Sequence, residues 1–303
     1  MKKSVKILGI TAVILCGSGI LLQLIGNAFG GKEKIAEIQT ARYHFAIEKQ
    51  KLSTPTELMA DLAHIDVSIL PSTDENWYFS YAIDSRKKKN PLSIKEENGT
   101  LRLYERNAQE TMSYEQSTLF GIHKQVVYNS ELTLYIPKNT TLNTCNLKLG
   151  DGCLVLQDVN TKTLQIGMKD GDADISHVQA DRFSITTAAG DITAYAFLGK
   201  HGKITTDYGD ISLTTEKDLL QNINISALTE LGDITLSYPF AQSGTLKEDD
   251  NDSTLYQKSG TTDKWEIISE SGDITLQDMY AKADTNPTEG ISHKLEDIPL
   301  PLQ

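Results

Sequence analysis

The chain of 303 residues has few aromatic residues and, along its second half, little arginine. Aromatic residues make up 7% of a sequence that is 39% hydrophobic, so a large core has to be built from small branched side chains. The net charge of −12, without a basic stripe to neutralise phosphates, excludes nucleic acid as a partner. Arg182 is the only arginine between Cys145 and Gln303, which argues against recognition of an acidic sugar.

Catalytic patterns are also missing. The six histidines are scattered, without metal-ligand spacing and without a neighbouring Gly-x-Ser-x-Gly elbow. We therefore expect no enzyme, no catalytic residue, no cofactor and no cofactor-binding residue.

Cysteine is scarce, with Cys16 in an apolar stretch and Cys145 and Cys153 in the body of the chain. The strand register places Cys145 on the inward face and Cys153 on the outward face. Two unpaired thiols are favoured, although sequence spacing leaves a disulfide between them open.

The main positive feature is an acidic turn that returns seven times, with successive aspartates 19 to 23 residues apart. A fixed period in this range is typical of a solenoid, in which each repeat buries its apolar face against the next. The turns have the form Gly-Asp-Ile or a variant of it, at Gly150-Asp151, Gly171-Asp172, Gly190-Asp191, Gly209-Asp210, Gly232-Asp233, Asn251-Asp252 and Gly272-Asp273.

Apolar residues alternate with polar ones on both sides of each turn. The residues one and three positions after the aspartate, such as Ile211 and Leu213, are nearly all apolar, and Ile223 and Ile225 are expected to point inward before Asp233. The pattern predicts an all-β, single-domain parallel β-solenoid over residues 61–279, with about 20 residues per coil.

The N-terminus predicts a membrane anchor. Residues 7–29 carry no charge and are long enough to cross a bilayer as a helix, and the lysines of the cytoplasmic tip, residues 1–6, place the N-terminus inside. The expected localisation is the cell membrane, single-pass, with an extracytoplasmic body; cleavage of the segment stays open. Residues 30–60 are expected to form a partly helical stalk, and residues 280–303 a disordered tail.

The aspartate row has two interpretations. In the structural one, Asp accepts hydrogen bonds from backbone N–H groups two residues on and Gly supplies a positive φ angle. This is the favoured role of Gly190, Asp191, Gly209, Asp210, Gly232, Asp233, Gly272 and Asp273. The favoured interpretation involves no metal. The alternative is a row of calcium ligands made of Asp172, Asp191, Asp210, Asp233 and Asp273.

The strand at residues 132–139, which ends in Ile-Pro-Lys-Asn, is followed by Leu-Lys-Leu-Gly-Asp-Gly at 147–152 and then by recurrent Gly-Asp-Ile turns. This order resembles the bacterial adhesin-like β-solenoid family built on domain of unknown function 4097, in its membrane-anchored LiaG-like members. The similarity covers residues 62–277. It implies a β-solenoid at the bacterial surface and no known catalytic residues.

The combined prediction is a non-catalytic, membrane-anchored cell-envelope protein whose solenoid is a binding, adhesion or scaffolding surface, linked to the envelope stress response. Its expected partners are the membrane, through residues 7–29, and an unidentified envelope polymer or protein. Two alternatives stay open, a cell-wall polysaccharide-modifying enzyme on a β-helix and an accessory subunit of a membrane signalling complex.

Overall fold

The protein was analysed as a computed structural model, which describes residues 43–117, 123–216, 219, 222–248 and 253–279. The described chain is all-β, as predicted, and most of its strands belong to two large sheets. One six-residue helix, α1 (Tyr238–Ser243), and a short 3₁₀ turn at Ala108–Glu110 accompany the strands.

The first strands in chain order are β1 (Tyr43–Lys51), β2 (Glu57–Leu62), β3 (Asp66–Pro71), β4 (Tyr78–Ser85), β5 (Leu92–Glu97), β6 (Thr100–Glu105), β7 (Tyr114–Ser117), β8 (His123–Val126), β9 (Ser130–Ile136), β10 (Thr141–Asp151), β11 (Leu154–Gln157) and β12 (Asn160–Asp170). They are followed by β13 (Ala173–Ser176), β14 (Gln179–Ala189), β15 (Ile192–Tyr195), β16 (Leu198–Tyr208), β17 (Ile211–Thr215), β18 (Ile223–Leu231), β19 (Ile234–Leu236), β20 (Thr245–Glu248), β21 (Thr254–Lys258), β22 (Asp263–Ser271) and β23 (Ile274–Asp278).

A coil, as the word is used below, is one strand of the eleven-stranded sheet and the strand of the ten-stranded sheet that completes the turn. The long strands β10, β12, β14 and β16 begin 19 residues apart, and the short strands β11, β13, β15 and β17 follow at the same interval. Within each sheet the coils pair in parallel, residue against equivalent residue. Antiparallel strands close both ends: β4, β1 and β5 at one, β21 and β20 at the other.

The inward rows of the coils form one apolar cluster. Ile192, Ile211, Ile234 and Ile274 are all buried in this cluster. Strand alternation turns every second side chain inward, so the equivalent isoleucines of successive coils stack in one row.

The few aromatic residues are concentrated in one place in the core. The rings of Phe183, Phe197 and Trp265 pack together with centroids 5.0 to 6.0 Å apart. Gly202 lies between Phe183 and Trp265 in its row, and a Cβ there would stand 2.0 Å from the Phe183 carbonyl oxygen. The absence of a side chain at Gly202 therefore leaves room for one large ring on each side, Phe183 and Trp265.

The order of the coils in space differs from their order in the chain at both ends. The coil formed by β6 and β9 lies outside the coil formed by β2 and β3. At the other end β22 pairs with both β16 and β18, so the last coil in the chain is inserted before the preceding one. A simple stack in sequence order would have placed β18 directly on β16.

The predicted stalk, residues 30–60, is corrected where the structure describes it. Residues 43–60 contain β1 and most of β2 rather than a helix. Phe45 and Ile47 lie on the same face of β1 and pack partly buried against the core, while β1 pairs antiparallel with β4. The β-sheet pattern therefore begins before residue 61.

The predicted membrane localisation is also corrected. Among the described residues, no helix is long and apolar enough to cross a membrane. The predicted tip and span, residues 1–29, and the predicted tail from residue 280 lie outside the described residues.

Candidate functional site

The Gly-Asp turns form one continuous corner along the stacked coils. Gly171, Gly190, Gly209, Gly272 and Gly232 all have φ between 126° and 156°. A Cβ on each of them would meet the carbonyl oxygen of the equivalent glycine in the adjacent coil at 2.1 to 2.5 Å. Both the backbone conformation and the close approach between coils therefore require glycine at this corner.

The aspartates of this corner are joined across coils. A carboxylate oxygen, Oδ1, accepts a hydrogen bond of 2.8 Å from the backbone N–H of the next aspartate, and this occurs four times. The acceptors Asp172, Asp191, Asp210 and Asp273 bind the N–H groups of Asp191, Asp210, Asp273 and Asp233, respectively. The partner is thus in the neighbouring coil, whereas the sequence analysis placed it two residues on. We call this set the aspartate ladder.

The remaining acidic turns differ from the ladder. The Asp151 carboxylate lies 3.3 Å from His64 Nδ1, and Asp252 is outside the described residues. Across the part of the chain that the structure describes, no group of three or more His, Cys, Asp or Glu side chains has the geometry to hold a metal ion.

A buried row of hydroxyl groups supports the same corner and was missed in the sequence. Thr206, Ser269 and Thr229 are fully buried, and each donates to the carbonyl oxygen of a corner glycine, Gly190, Gly209 or Gly272, over 2.8 to 3.3 Å. The signal was available, because Thr or Ser recurs at an otherwise apolar position of the inward row, four residues before the aspartate.

A cleft of about 710 Å³ opens beside the first coils. Two histidine–carboxylate pairs line it: His44 Nδ1 lies 3.0 Å from Asp84 Oδ1, and His64 pairs with Asp151. Asp66 and Glu131, which are register partners on β3 and β9, also line the cleft, together with Met112, Val127 and Ser130. None of these residues was predicted as a site residue, because they come from six separate segments.

The outer face of the ten-stranded sheet is a row of small polar side chains. Thr193, Ser212, Thr275 and Thr235 are register partners on four neighbouring strands, and each is exposed or half-buried. Asp174 continues the row on β13. Neighbouring hydroxyl groups are therefore spaced by about 4.8 Å, the distance between strands.

The outer face of the eleven-stranded sheet carries more charge. Lys200 Nζ lies 2.6 Å from Asp181 Oδ1, and Lys203 Nζ lies 3.0 Å from Glu266 Oε1. The hydrogen bond from Lys200 lowers the pKa of the Asp181 carboxyl, and the pKa of Lys200 is raised by the same contact.

The two body cysteines are free thiols in the structure. Cys145 is buried, and burial raises its pKa to about 12. Cys153 is exposed, and its backbone N–H donates to Asp66 Oδ1.

Comparison with known proteins gives a family and a set of distant structures. The family model described as Toastrack DUF4097 matches residues 56–286, which confirms the resemblance to that family but does not extend to its LiaG-like, membrane-anchored members. No curated protein matches the chain.

Among solved structures, the chain is similar to a candidate cell adhesion protein from Clostridium sporogenes, at 10% identity and a TM-score of 0.44, covering 78% of this chain and 99% of that one. It is also similar to a candidate adhesin from Bacteroides fragilis, at 11% identity and a TM-score of 0.40, covering 78% and 97%. A candidate lipid-binding protein from Parabacteroides distasonis aligns at 16% identity and a TM-score of 0.28, covering 78% and 97%.

Proposed function

The chain belongs to the Toastrack DUF4097 family, and from this premise we propose that it is a non-catalytic protein whose stacked coils form a binding or adhesion surface. The observation that carries the proposal is the strand register, which arranges equivalent polar side chains in straight rows on the outer faces of both sheets. The coils act as one parallel β-solenoid domain, so the rows keep a fixed geometry over several strands.

A polymer suits such a surface better than a small ligand. Thr193, Ser212 and Thr275 present hydroxyl groups in line, and a hydroxyl both donates and accepts hydrogen bonds. A chain molecule with repeating hydroxyl groups can contact several of them at once, and contacts that are weak singly add up because the first one brings the others into reach. The predicted link to an envelope stress response stays a prediction.

Retention of the full-length protein on insoluble polysaccharides tests the proposal. The variant Thr193→Val/Thr275→Val removes two hydroxyl groups from the ten-stranded face with little change of shape, and Ser184→Ala/Thr186→Val does the same on the other face. We expect at least one polymer to retain the protein and one of the two variants to weaken retention. The proposal is contradicted if no polymer retains the protein, or if both variants are retained as strongly as the wild type.

A second candidate is a polysaccharide-modifying enzyme, favoured by the cleft and its two histidine–carboxylate pairs. Release of soluble sugar by the full-length chain, lost in Glu131→Gln, would establish it.

A further inference from the structure

Three positively charged or protonatable side chains lie in line on the outer face of the eleven-stranded sheet. Arg182 on β14 faces His201 on β16, which faces Lys264 on β22. All three are exposed. Because neighbouring strands are about 4.8 Å apart, the line is about 10 Å long. We call Arg182, His201 and Lys264 the basic row.

The basic row exists because of the coil inserted at the C-terminal end. In sequence order, β18 would follow β16 and Asn224 would lie beside His201. The insertion of β22 between these strands puts Lys264 there instead and moves Asn224 one strand further.

Acidic side chains compensate this region only in part. Within two register positions of the basic row stand five lysines and arginines, at 162, 182, 200, 203 and 264, against Asp181, Asp263 and Glu266. The other charged residues of these strands, Lys169, Asp170, Asp207 and Glu270, stand at the opposite strand ends. Asp181 and Glu266 pair with Lys200 and Lys203. Among the described residues, Arg182 and Lys264 form no ion pair, so the basic row keeps its positive charge in a chain of net charge −12.

The opposite face has the other sign. The eight parallel strands of the ten-stranded sheet, from β9 to β19, contain no lysine or arginine. Asp66, Glu131 and Asp174 lie on the exposed side of that sheet. An anionic polymer is therefore attracted to one face and repelled by the other.

We infer that the basic row binds the carboxylate groups of an acidic polysaccharide, an inference that rests on the proposed function. The guanidinium group of Arg182 can bind a carboxylate through two parallel hydrogen bonds, and Lys264 adds a second charge two strands away. Ser184 and Thr186 are exposed on the same strand as Arg182 and supply hydroxyl groups for the sugar rings. The scarcity of arginine in the sequence argued against an acidic sugar as ligand. The fold, however, brings Arg182 and Lys264 together on one face, two strands apart.

Affinity electrophoresis of the full-length protein in gels that contain polygalacturonate, neutral galactan or double-stranded DNA tests the inference. The variant Arg182→Gln/Lys264→Gln removes both unpaired charges. Its matched control is Lys88→Gln/Lys89→Gln, which removes the same charge from an exposed turn between β4 and β5. Equal unfolding midpoints for the two variants show that both are folded.

We expect the wild type to prefer polygalacturonate, with binding that weakens as salt is added. The basic-row variant loses about tenfold in affinity, because each exposed ion pair contributes little on its own, and the control variant binds as the wild type does. Equal binding of both polysaccharides, unchanged by the basic-row variant, overturns the inference and leaves the proposed function intact. Binding of neither polysaccharide counts against the proposed function itself. Preferential binding of DNA, lost in the basic-row variant, overturns the inference in favour of a phosphate ligand.

Discussion

At the scale of residues, the corner glycines are set by the distance between coils as much as by their own backbone angles. Gly190 has a φ of 132°, and a Cβ added to it would stand 2.2 Å from the Gly171 carbonyl oxygen. That oxygen belongs to the backbone of a stacked strand, so it cannot move aside without disturbing the neighbouring coil.

Gly190→Ala is therefore expected to destabilise the protein by about 3 kcal/mol, from the steric overlap and the unfavourable φ together. Gly167→Ala is the matched control, because a Cβ there has no atom within 4 Å. It should change stability by less than about 1 kcal/mol. Urea unfolding of both variants measures the difference, and equal midpoints would show that the corner is not closely packed.

The two thiols are expected to differ in reactivity. Burial raises the pKa of Cys145 to about 12, so at pH 9 this thiol is both protonated and inaccessible, whereas Cys153 is exposed. Iodoacetamide should alkylate Cys153 in the native protein and Cys145 only after a denaturant is added, as peptide mass mapping can resolve. Alkylation of both at similar rates in the native protein would contradict the burial of Cys145.

At this scale, the direction of a side chain could be predicted from the sequence wherever it depended only on alternation along its own strand. The inward direction of Ile192 and Ile211, and of Cys145 against Cys153, followed from alternation alone. The partner of each ladder aspartate could not be deduced, because it lies 19 to 63 residues away along the chain. Ile223 and Ile225, expected to point inward before Asp233, are both buried, and Ile225 and Ala227 align with Trp265 and Ile267 on β22.

At the scale of elements, the inserted C-terminal coil is the feature that sequence could not supply. The alternation of β18 and β22 is equally compatible with either order of stacking, since both strands present an apolar row inward. The observed order lets one coil both cover Phe183 and donate a hydrogen bond to Gly199. Trp265 does so, donating from Nε1 to the Gly199 carbonyl oxygen at 2.8 Å.

Crosslinking can establish that order. Thr205 on β16 faces Ile268 on β22, which in turn faces Leu228 on β18. In a Cys153→Ser background, Thr205→Cys/Ile268→Cys should be linked by a short dithiol reagent, because the two positions are about 5 Å apart. Thr205→Cys/Leu228→Cys, about 10 Å apart, should not be linked by the same reagent. The reverse result would restore stacking in sequence order.

At the scale of the whole molecule, the period of the Gly-Asp turns predicted the all-β architecture, because a repeat of about 20 residues can bury its apolar face only by stacking. Residues 43–60 were assigned wrongly to a stalk because β1 pairs with β4, a strand that lies further ahead in the chain. The cleft and the basic row were not predictable either, since each combines residues from distant segments that only the folded coils bring together.

The aspartate ladder makes a prediction about the stability of the molecule as a whole. Asp172, Asp191, Asp210, Asp273 and Asp233 are exposed and stand in successive coils, where neighbouring charges repel by about 1 kcal/mol in water. Salt screens this repulsion, since the Debye length falls from about 30 Å at 0.01 M to about 3 Å at 1 M. Thermal melting in sodium chloride should therefore show Tm rising by a few degrees over that range, at about 2–4 °C per kcal/mol.

The same experiment separates the two roles that the sequence left open for the ladder. One oxygen of each acceptor carboxylate already accepts a hydrogen bond from the backbone N–H of the next coil. We therefore expect the same Tm in millimolar calcium chloride as in sodium chloride of equal ionic strength. An Asp191→Asn/Asp210→Asn variant keeps the acceptor oxygens but loses two charges, and its Tm should depend less on salt. A rise of several degrees with calcium alone, lost in this variant, would instead mean that the carboxylates bind the ion between coils, because a ligand bound to the native state stabilises it by mass action.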